Sequence, residues 1–187
     1  MQAPINDHNE EIREKMESVF PQVIGAVVTK RGDKVNLCPI NYQAISTIYE
    51  KPLTICIGLS NTGYTLENIL ETKEFVYAYP AKDQLHDIIH CGTLSGRDHD
   101  KLSETSLQFS PSTDVAPPHL DGAVLNYECK VVHTYAGDND QSFTIVIAEI
   151  QKIAPTEGKT NLDKIYSIGG HDYGVIAGIE VLQTGRE

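Results

Sequence analysis

Apolar residues along this chain group into short runs of strand length, several of them rich in β-branched side chains. The runs predict extended segments at residues 23–29, 35–40, 53–59, 74–79, 123–134 and 142–153. A turn signal, Arg31-Gly32-Asp33, separates the first two segments, and Gly137-Asp138-Asn139-Asp140 separates the last two. Both pairs are therefore predicted to be antiparallel hairpins.

Helical spacing is confined to three short segments, residues 8–20, 62–73 and 83–91. Residues 103–120 are rich in Ser, Pro and Thr and are predicted to form a loop. Parallel strands need crossover helices of a dozen or more residues, and such helices do not recur between the predicted strands. The sequence thus predicts a mainly β fold with peripheral helices, an antiparallel barrel in a single domain over residues 1–187.

The acidic composition narrows the range of partners. Fifteen Lys and Arg against 26 Asp and Glu give a net charge of −11, so nucleic acid and membrane surfaces are not expected as partners. No apolar run approaches the roughly 18 residues of a membrane-spanning helix, and the polar start of the chain does not resemble a secretory signal. The cysteines form no CxxC pair, so we expect reduced thiols in a cytoplasmic protein; they are Cys38, Cys56, Cys91 and Cys129.

Two motifs resemble catalytic signatures but lack parts of them. Gly158-Lys159-Thr160 resembles the end of a phosphate-binding loop, but Ile153 stands where that loop needs a glycine, so a surface turn is predicted. His86 and His90 have the spacing of a zinc-protease helix, with Asp87 in place of its glutamate and no third ligand at helical spacing. Two solvated histidines are the favoured interpretation, and a zinc hydrolase is the alternative.

One extended segment carries more polar side chains than a buried strand normally holds. These side chains are Asn36, Asn41, Gln43 and Ser46. Because an unpaired buried polar group costs roughly 1–3 kcal/mol, they face either water or a polar ligand.

A second polar stretch, residues 60–69, follows a strand and opens a predicted helix. Free backbone N–H groups at a helix start favour an anion, and Ser60, Thr62 and Thr65 add hydroxyl donors. The alternative is that the Thr and Asn residues simply cap the helix.

Five motifs follow one another in a fixed order between residues 20 and 155. They are Pro21 with the strand at residues 23–29; the Asn36…Pro39…Ser46…Pro52 segment; Tyr64-Thr65-Leu66-Glu67-Asn68-Ile69 followed by Glu74-Phe75-Val76; Ser95-Gly96-Arg97-Asp98-His99-Asp100-Lys101-Leu102; and Glu128-Cys129-Lys130. In this order they resemble the flavin reductase-like family of FMN-binding split barrels, most closely its flavoredoxin-type branch. A weaker resemblance runs through residues 169–182.

The resemblance implies a homodimer with FMN at the subunit interface, its isoalloxazine ring on the strand at residues 39–46. The residues implied for FMN binding are Asn36, Pro39, Ile40, Asn41, Tyr42, Ala44 and Ser46, with Ser60, Thr65 and Asn68 near the phosphate and Lys101 as a counter-charge. Relatives often carry Arg or Lys just before the motif threonine, where this chain has Tyr64. Losing that clamp is expected to lower the affinity for FMN unless Lys101 or Arg97 compensates.

The implied activity is reduction of flavin by NADH or NADPH, with the nicotinamide stacked on the exposed flavin face. No catalytic acid or base is required for hydride transfer to the flavin, and none is predicted. His171 and Tyr173, between glycines, are candidates for lining the nicotinamide side, with a plain turn as the alternative. The alternative function is a non-enzymatic FMN carrier that passes electrons between redox proteins, since the negative charge suits a basic partner.

Overall fold

Twelve strands and two α-helices make up the part of the chain that the structure, a computed structural model, describes: residues 21–45, 52–137, 143–169 and 172–178. The strands are β1 (Gln22–Val23), β2 (Gly25–Arg31), β3 (Lys34–Ile40), β4 (Gln43–Ile45), β5 (Thr54–Ser60), β6 (Glu74–Tyr79), β7 (Phe109–Ser110), β8 (His119–Leu120), β9 (Leu125–Tyr135), β10 (Phe143–Pro155), β11 (Tyr166–Gly169) and β12 (Asp172–Gly174). The α-helices are α1 (Tyr64–Thr72) and α2 (Leu85–Thr93), and short 3-10 turns span Lys82–Gln84, Lys101–Glu104 and Asn161–Asp163.

Seven strands form one antiparallel sheet in the order β3-β2-β6-β9-β10-β5-β4. Its two edge strands are consecutive in the chain, because β3 ends at Ile40 and β4 begins at Gln43. Three residues of chain span at most about 11 Å, whereas seven strands side by side extend roughly 29 Å from edge to edge. The sheet must therefore curl until its edges approach each other, which produces a half-barrel split between β3 and β4.

Alternate residues of the central strand β6 belong to two different hydrophobic clusters. Phe75 and Tyr77 join a cluster that links strands from both halves of the sheet and includes Leu66 and Ile69 of α1. This cluster fills the concave side of the curl. The intervening residues, including Val76, pack on the convex side with α2 and the segments that follow it. Both faces of β6 are thus buried.

Most of the predicted elements are present with small shifts at their ends. The strand predicted at residues 74–79 is β6 with the same bounds, the two longest predicted strands are β9 and β10, and two of the three predicted helices are α1 and α2. The predicted helix at residues 8–20 lies outside the described residues, as does most of the turn at residues 137–140. Gly158 sits at a surface turn with φ +77°, as predicted for Gly158-Lys159-Thr160.

Two predicted turn or loop segments contain strands instead. The segment at residues 103–120 holds β7 and β8, which pair as a two-stranded ribbon. Its loop is held by the buried carboxylate of Glu128, which accepts the N–H groups of Thr113 and Asp114 at 3.1 and 2.5 Å. Asp172–Gly174 is β12, part of a small antiparallel sheet with β11 and β1. Loop-forming composition did not reveal either set of pairings.

Candidate functional site

A cavity of about 340 Å³ opens where β3 ends, beside the split in the half-barrel. One wall is Pro39, Ile40 and Asn41, and the other comes from α2 and β12; the lining residues are Ile24, Pro39, Ile40, Asn41, Ile89, Gly92, Thr93 and Tyr173. Apolar walls with a few polar groups at this volume are typical of small-molecule sites. The predicted site residues Pro39, Ile40 and Asn41 are therefore brought together at one cavity.

The two walls of this cavity approach closely at a single glycine. A Cβ atom added at Gly92 would lie 2.9 Å from Cγ of Pro39, so only a residue without a side chain lets α2 pack this near β3. Gly92, Ile89 and Thr93 were not predicted as site residues. Gly92 lies just beyond the predicted helix at residues 83–91 but within the observed α2, so the sequence pattern did not mark it as a glycine inside a helix.

A second cavity of about 280 Å³ lies on the other side of Asn41, against β4 and β5. Its lining residues are Gln22, Asn41, Tyr42, Gln43, Ala44 and Cys56. Tyr42 is 58% exposed and its ring rests on Gly58, where an added Cβ would lie 2.0 Å from Cδ1 of the ring. The predicted residues Asn41, Tyr42 and Ala44 share this cavity, whereas Ser46 lies outside the described residues.

The strands at the split also offer main-chain hydrogen-bonding groups. In the sheet that the structure describes, β3 pairs with β2 alone and β4 pairs with β5 alone. Each strand therefore has one edge whose N–H and C=O groups are not used by the sheet. A flat ligand with alternating donors and acceptors fits such an edge.

The start of α1 carries the predicted hydroxyl groups, but its N-cap residue is a glycine, which has no side chain that could cap it. The N-cap residue is Gly63, and the first intrahelical bond runs from the Glu67 N–H to the Gly63 carbonyl at 3.1 Å. The preceding N–H groups lack carbonyl partners within the helix, as at any helix start. Ser60 is exposed, its Oγ 3.2 Å from Thr62 Oγ1. The N-cap residue therefore makes no side-chain cap, and anion binding at this helix start stays a prediction.

Thr65, Asn68 and Asn36, all predicted to contact the cofactor, are buried and bonded within the protein. Asn36 Nδ2 donates to Thr65 Oγ1 at 3.0 Å, and Asn68 Nδ2 donates to Thr29 Oγ1 at 3.1 Å. These four side chains are at most 6% exposed. The two bonds hold α1 against β2 and β3, which fixes where the helix start lies. Contact of these side chains with a cofactor stays a prediction.

Two cations flank Tyr64, the first residue of α1. Lys34 Nζ lies 5.3 Å and Arg97 Cζ lies 5.8 Å from the centre of its ring. Arg97 also pairs with Glu67 at 2.8 Å, which lowers the pKa of that carboxyl, and Arg31 pairs with the same carboxyl at 2.8 Å. Positive charge is therefore present beside the first residue of α1.

Lys101 lies elsewhere, at the C-terminal end of α2. Its ammonium group donates to the carbonyl oxygens of Cys91 at 2.6 Å and Leu94 at 3.1 Å. The side chain is 4% exposed, and burial lowers the pKa of Lys101. A cation at the last carbonyls of a helix stabilises it. Both acceptors are structural, so the structure gives Lys101 a role in holding α2, and its phosphate contact stays a prediction.

The remaining predicted motifs contribute less to the site. His86 is almost fully exposed, and His90 Nε2 lies 3.1 Å from Glu104 Oε2. Among the described residues no group of three or more His, Cys, Asp or Glu could hold a metal ion. Tyr173 lines the cavity at Pro39, but His171 lies outside the described residues. No helix in the described ranges is long and apolar enough to cross a membrane.

A half-barrel of antiparallel strands with a cavity at its split is the architecture of the split-barrel proteins, and the predicted fold class is confirmed. A family model described as a flavin reductase-like domain matches residues 16–169. The chain therefore belongs to the flavin reductase-like family, as its motif order indicated.

Individual relatives are more distant. The chain is 33% identical over 100 residues to an uncharacterised protein of Archaeoglobus fulgidus, and the match covers 53% of this chain and about half, 54%, of that relative. Flavoredoxin from Methanosarcina acetivorans superposes with a TM-score of 0.76 at 19% identity, covering 99% of this chain and 96% of its own. An FMN-binding protein from Thermus thermophilus with bound p-hydroxybenzaldehyde superposes with a TM-score of 0.79 at 18% identity, covering 98% and 97%. At these identities the two structures show a shared fold.

Proposed function

We propose that this chain binds FMN at the split of its half-barrel and acts as an NAD(P)H-dependent flavin reductase. One observation carries the proposal: the cavity between Pro39–Asn41 and α2 lies at an open strand edge, in a chain of the flavin reductase-like family. Family and fold together support a flavin-related function, and the reductase activity is the finer step that an experiment must test.

The residues at the split fit a flavin ring. Pro39, Ile40 and Ile89 offer apolar wall, and the unpaired edges of β3 and β4 offer main-chain donors and acceptors. The ring, when bound, supplies the hydride-accepting chemistry, and the protein supplies position and exclusion of water. In this proposal Tyr173 lines the side of the cavity that the nicotinamide enters.

The start of α1 fits the phosphate of FMN. The N–H groups of its first turn and the exposed Ser60 hydroxyl are the donors proposed for an anion. Arg97 and Lys34 supply positive charge beside Tyr64. We assign the counter-charge to Arg97 rather than to Lys101, since Arg97 is about half exposed beside the start of α1, whereas Lys101 is buried and donates to two carbonyl groups at the end of α2.

We further propose a homodimer that covers the outer face of β10. Val146 and Ala148 on the inner face are fully buried, while Phe143 is 60% exposed and Ile145 and Ile147 are half-buried on the outer face. A strand that is apolar on both faces is typical of one covered on both sides. The outer residues of β10 are paired with Ser60, Gly58 and Cys56 of β5, next to the second cavity. A partner on this face would also close the site.

The test is oxidation of NADH and NADPH by the purified protein with FMN present. We expect the protein with FMN to show the visible absorbance of bound flavin. We also expect oxidation of NADH or NADPH that requires both the protein and the flavin. A Gly92→Leu variant, whose side chain would fill the cavity at Pro39, should lose both, and Gly178→Leu, at a position with open space around it, should keep both. Protein that takes up no FMN would refute the proposed binding site.

A non-enzymatic FMN carrier is the second candidate, favoured by the net charge of −11, which suits docking to a basic redox protein. A carrier would bind FMN and accept electrons from a reduced protein partner, but would oxidise neither NADH nor NADPH. The same measurement therefore separates the two functions.

A further inference from the structure

A hydrogen bond inside the half-barrel joins a core tyrosine to the strand that borders the second cavity. Tyr79 Oη donates to Gln43 Oε1 at 3.2 Å. Gln43 is the first residue of β4 and lines that cavity together with Asn41 and Tyr42. The bond thus connects the hydrophobic interior to the edge on which the flavin ring is proposed to rest.

The environment of Tyr79 fixes the direction of this bond. Tyr79 is 5% exposed, and burial raises the pKa of its phenol far above the physiological range. The hydroxyl therefore keeps its proton and needs an acceptor, which Gln43 provides with its carbonyl oxygen. A glutamine amide carries its two donors on the nitrogen. Gln43 consequently holds its NH₂ group on the side away from the phenol.

The tyrosine ring is itself held on several sides. It packs edge-to-face on Tyr77, with ring centres 5.2 Å apart, and on Tyr127, at 6.1 Å. Lys164 Nζ lies 4.0 Å above the ring centre, within range of a cation–π contact. Such packing leaves the hydroxyl in one place, so that the amide it orients is also fixed.

We propose that Gln43 is a further cofactor-contacting residue and that Tyr79 is its positioning residue. Tyr79 presents the Gln43 NH₂ group as a donor to the carbonyl-bearing edge of a flavin ring. The inference rests on the proposed function, because it concerns the same site. That edge gains negative charge when the ring is reduced, so a donor there stabilises the reduced form more than the oxidised form. Gln43 therefore raises the midpoint potential of bound FMN.

The test measures FMN affinity and midpoint potential in Gln43→Leu and Tyr79→Phe variants of the full chain. Both variants should bind FMN about fivefold to tenfold more weakly, the value of one hydrogen bond, and should shift the midpoint potential to more negative values. Tyr79→Phe keeps the ring and its packing, so the change isolates the hydroxyl. Tyr127→Phe is the matched control, because Tyr127 packs on Tyr79 but is not the residue bonded to Gln43.

The double variant separates positioning from mere packing. If Tyr79 acts through Gln43, then Tyr79→Phe has no further effect on either quantity once Gln43 is Leu. Two outcomes overturn the inference and leave the proposed function in place. In the first, Tyr79→Phe has its full effect even when Gln43 is Leu. In the second, neither single variant changes the midpoint potential or the FMN affinity. Wild-type protein that binds no FMN overturns both.

Discussion

Gly92 of α2 packs directly against Pro39 of β3, where the two walls of the candidate site meet. A Cβ atom at residue 92 would come within 2.9 Å of the proline Cγ, closer than real side chains pack. β3 reaches the split of the half-barrel immediately after Pro39, and α2 packs against β3 at the same point. The size of the cavity therefore depends on one missing side chain.

Replacing Gly92 with Ala should weaken FMN binding while changing stability little. The methyl group forces α2 and β3 apart, at about 1–3 kcal/mol, but alanine is about 1 kcal/mol better than glycine in a helix. We expect a roughly fivefold to tenfold loss of FMN affinity by fluorescence titration and a melting temperature close to that of the wild type. Gly178→Ala is the control. Unchanged affinity for Gly92→Ala would show that the cavity is not where FMN binds.

The local sequence pattern predicted the strands well, but it did not predict the strand pairings that curl the sheet into a half-barrel. Residues 75–79 are an unbroken run of apolar and aromatic side chains that begins after Glu74 and stops at Pro80, which is why β6 has its predicted bounds. β3 and β4 lie at opposite edges of one sheet because β2 pairs with β6 and β5 pairs with β10, and no short window of sequence contains these non-local pairings. The same holds for β11, which pairs with β1 from the other end of the described chain.

Sequence reasoning located only one of the two walls of the candidate site, because the other wall is brought there by non-local packing. Pro39, Ile40 and Asn41 are consecutive, so one motif located that wall. The opposite wall comes from α2, some fifty residues later, and packing alone brings it there. Thr65 and Asn68 have side chains that suit both a ligand and an internal partner. The sequence could not reveal that their side chains bond to Asn36 and Thr29.

Thr65→Val should destabilise the protein, whereas Ser60→Ala should not. Valine has the shape of threonine but no acceptor, so Asn36 Nδ2 would lose its partner in a buried place, at about 1–3 kcal/mol. Ser60 is exposed, and its removal should change the free energy of unfolding by less than about 0.5 kcal/mol while lowering FMN affinity. Urea unfolding and FMN titration of both variants decide this. Equal stability losses would contradict the division of roles.

Arg97 and Lys101 should differ in how they affect recognition of the phosphate. Arg97→Ala should reduce the preference for FMN over riboflavin, which lacks the phosphate, by roughly two- to fivefold. Lys101→Met leaves two carbonyl groups without their donor and should lower the free energy of unfolding by about 1.5–3 kcal/mol with the preference unchanged. Titrations with both flavins provide the measurement. A preference lost in Lys101→Met but kept in Arg97→Ala would restore Lys101 as the counter-charge.

Glu128 should make the protein sensitive to acid. Burial acts to raise the pKa of Glu128, but the N–H groups of Asp114 and Thr113 and the neighbouring His119 outweigh it and lower the pKa overall. Below about pH 4.5 the unfolded state then binds more protons than the folded state, so stability falls on acidification. Glu128→Gln should lose about 1–3 kcal/mol at pH 7 and show a shallower acid decline. Glu157→Gln is the exposed control. Parallel acid curves for all three proteins would refute the assignment.

A charged residue introduced on the outer face of β10 should both dissociate the proposed dimer and weaken FMN binding. Phe143 is 60% exposed in the single chain and sits opposite Ser60, so a partner covering it also lies beside the cofactor site. Burying a glutamate there without a counter-charge is unfavourable. Phe143→Glu should therefore elute as a monomer in size-exclusion chromatography with light scattering and should bind FMN weakly. Ile153→Glu, an exposed apolar position toward the other end of β10, should remain dimeric and bind FMN normally. A monomeric variant with full FMN affinity would mean that one chain alone completes the site.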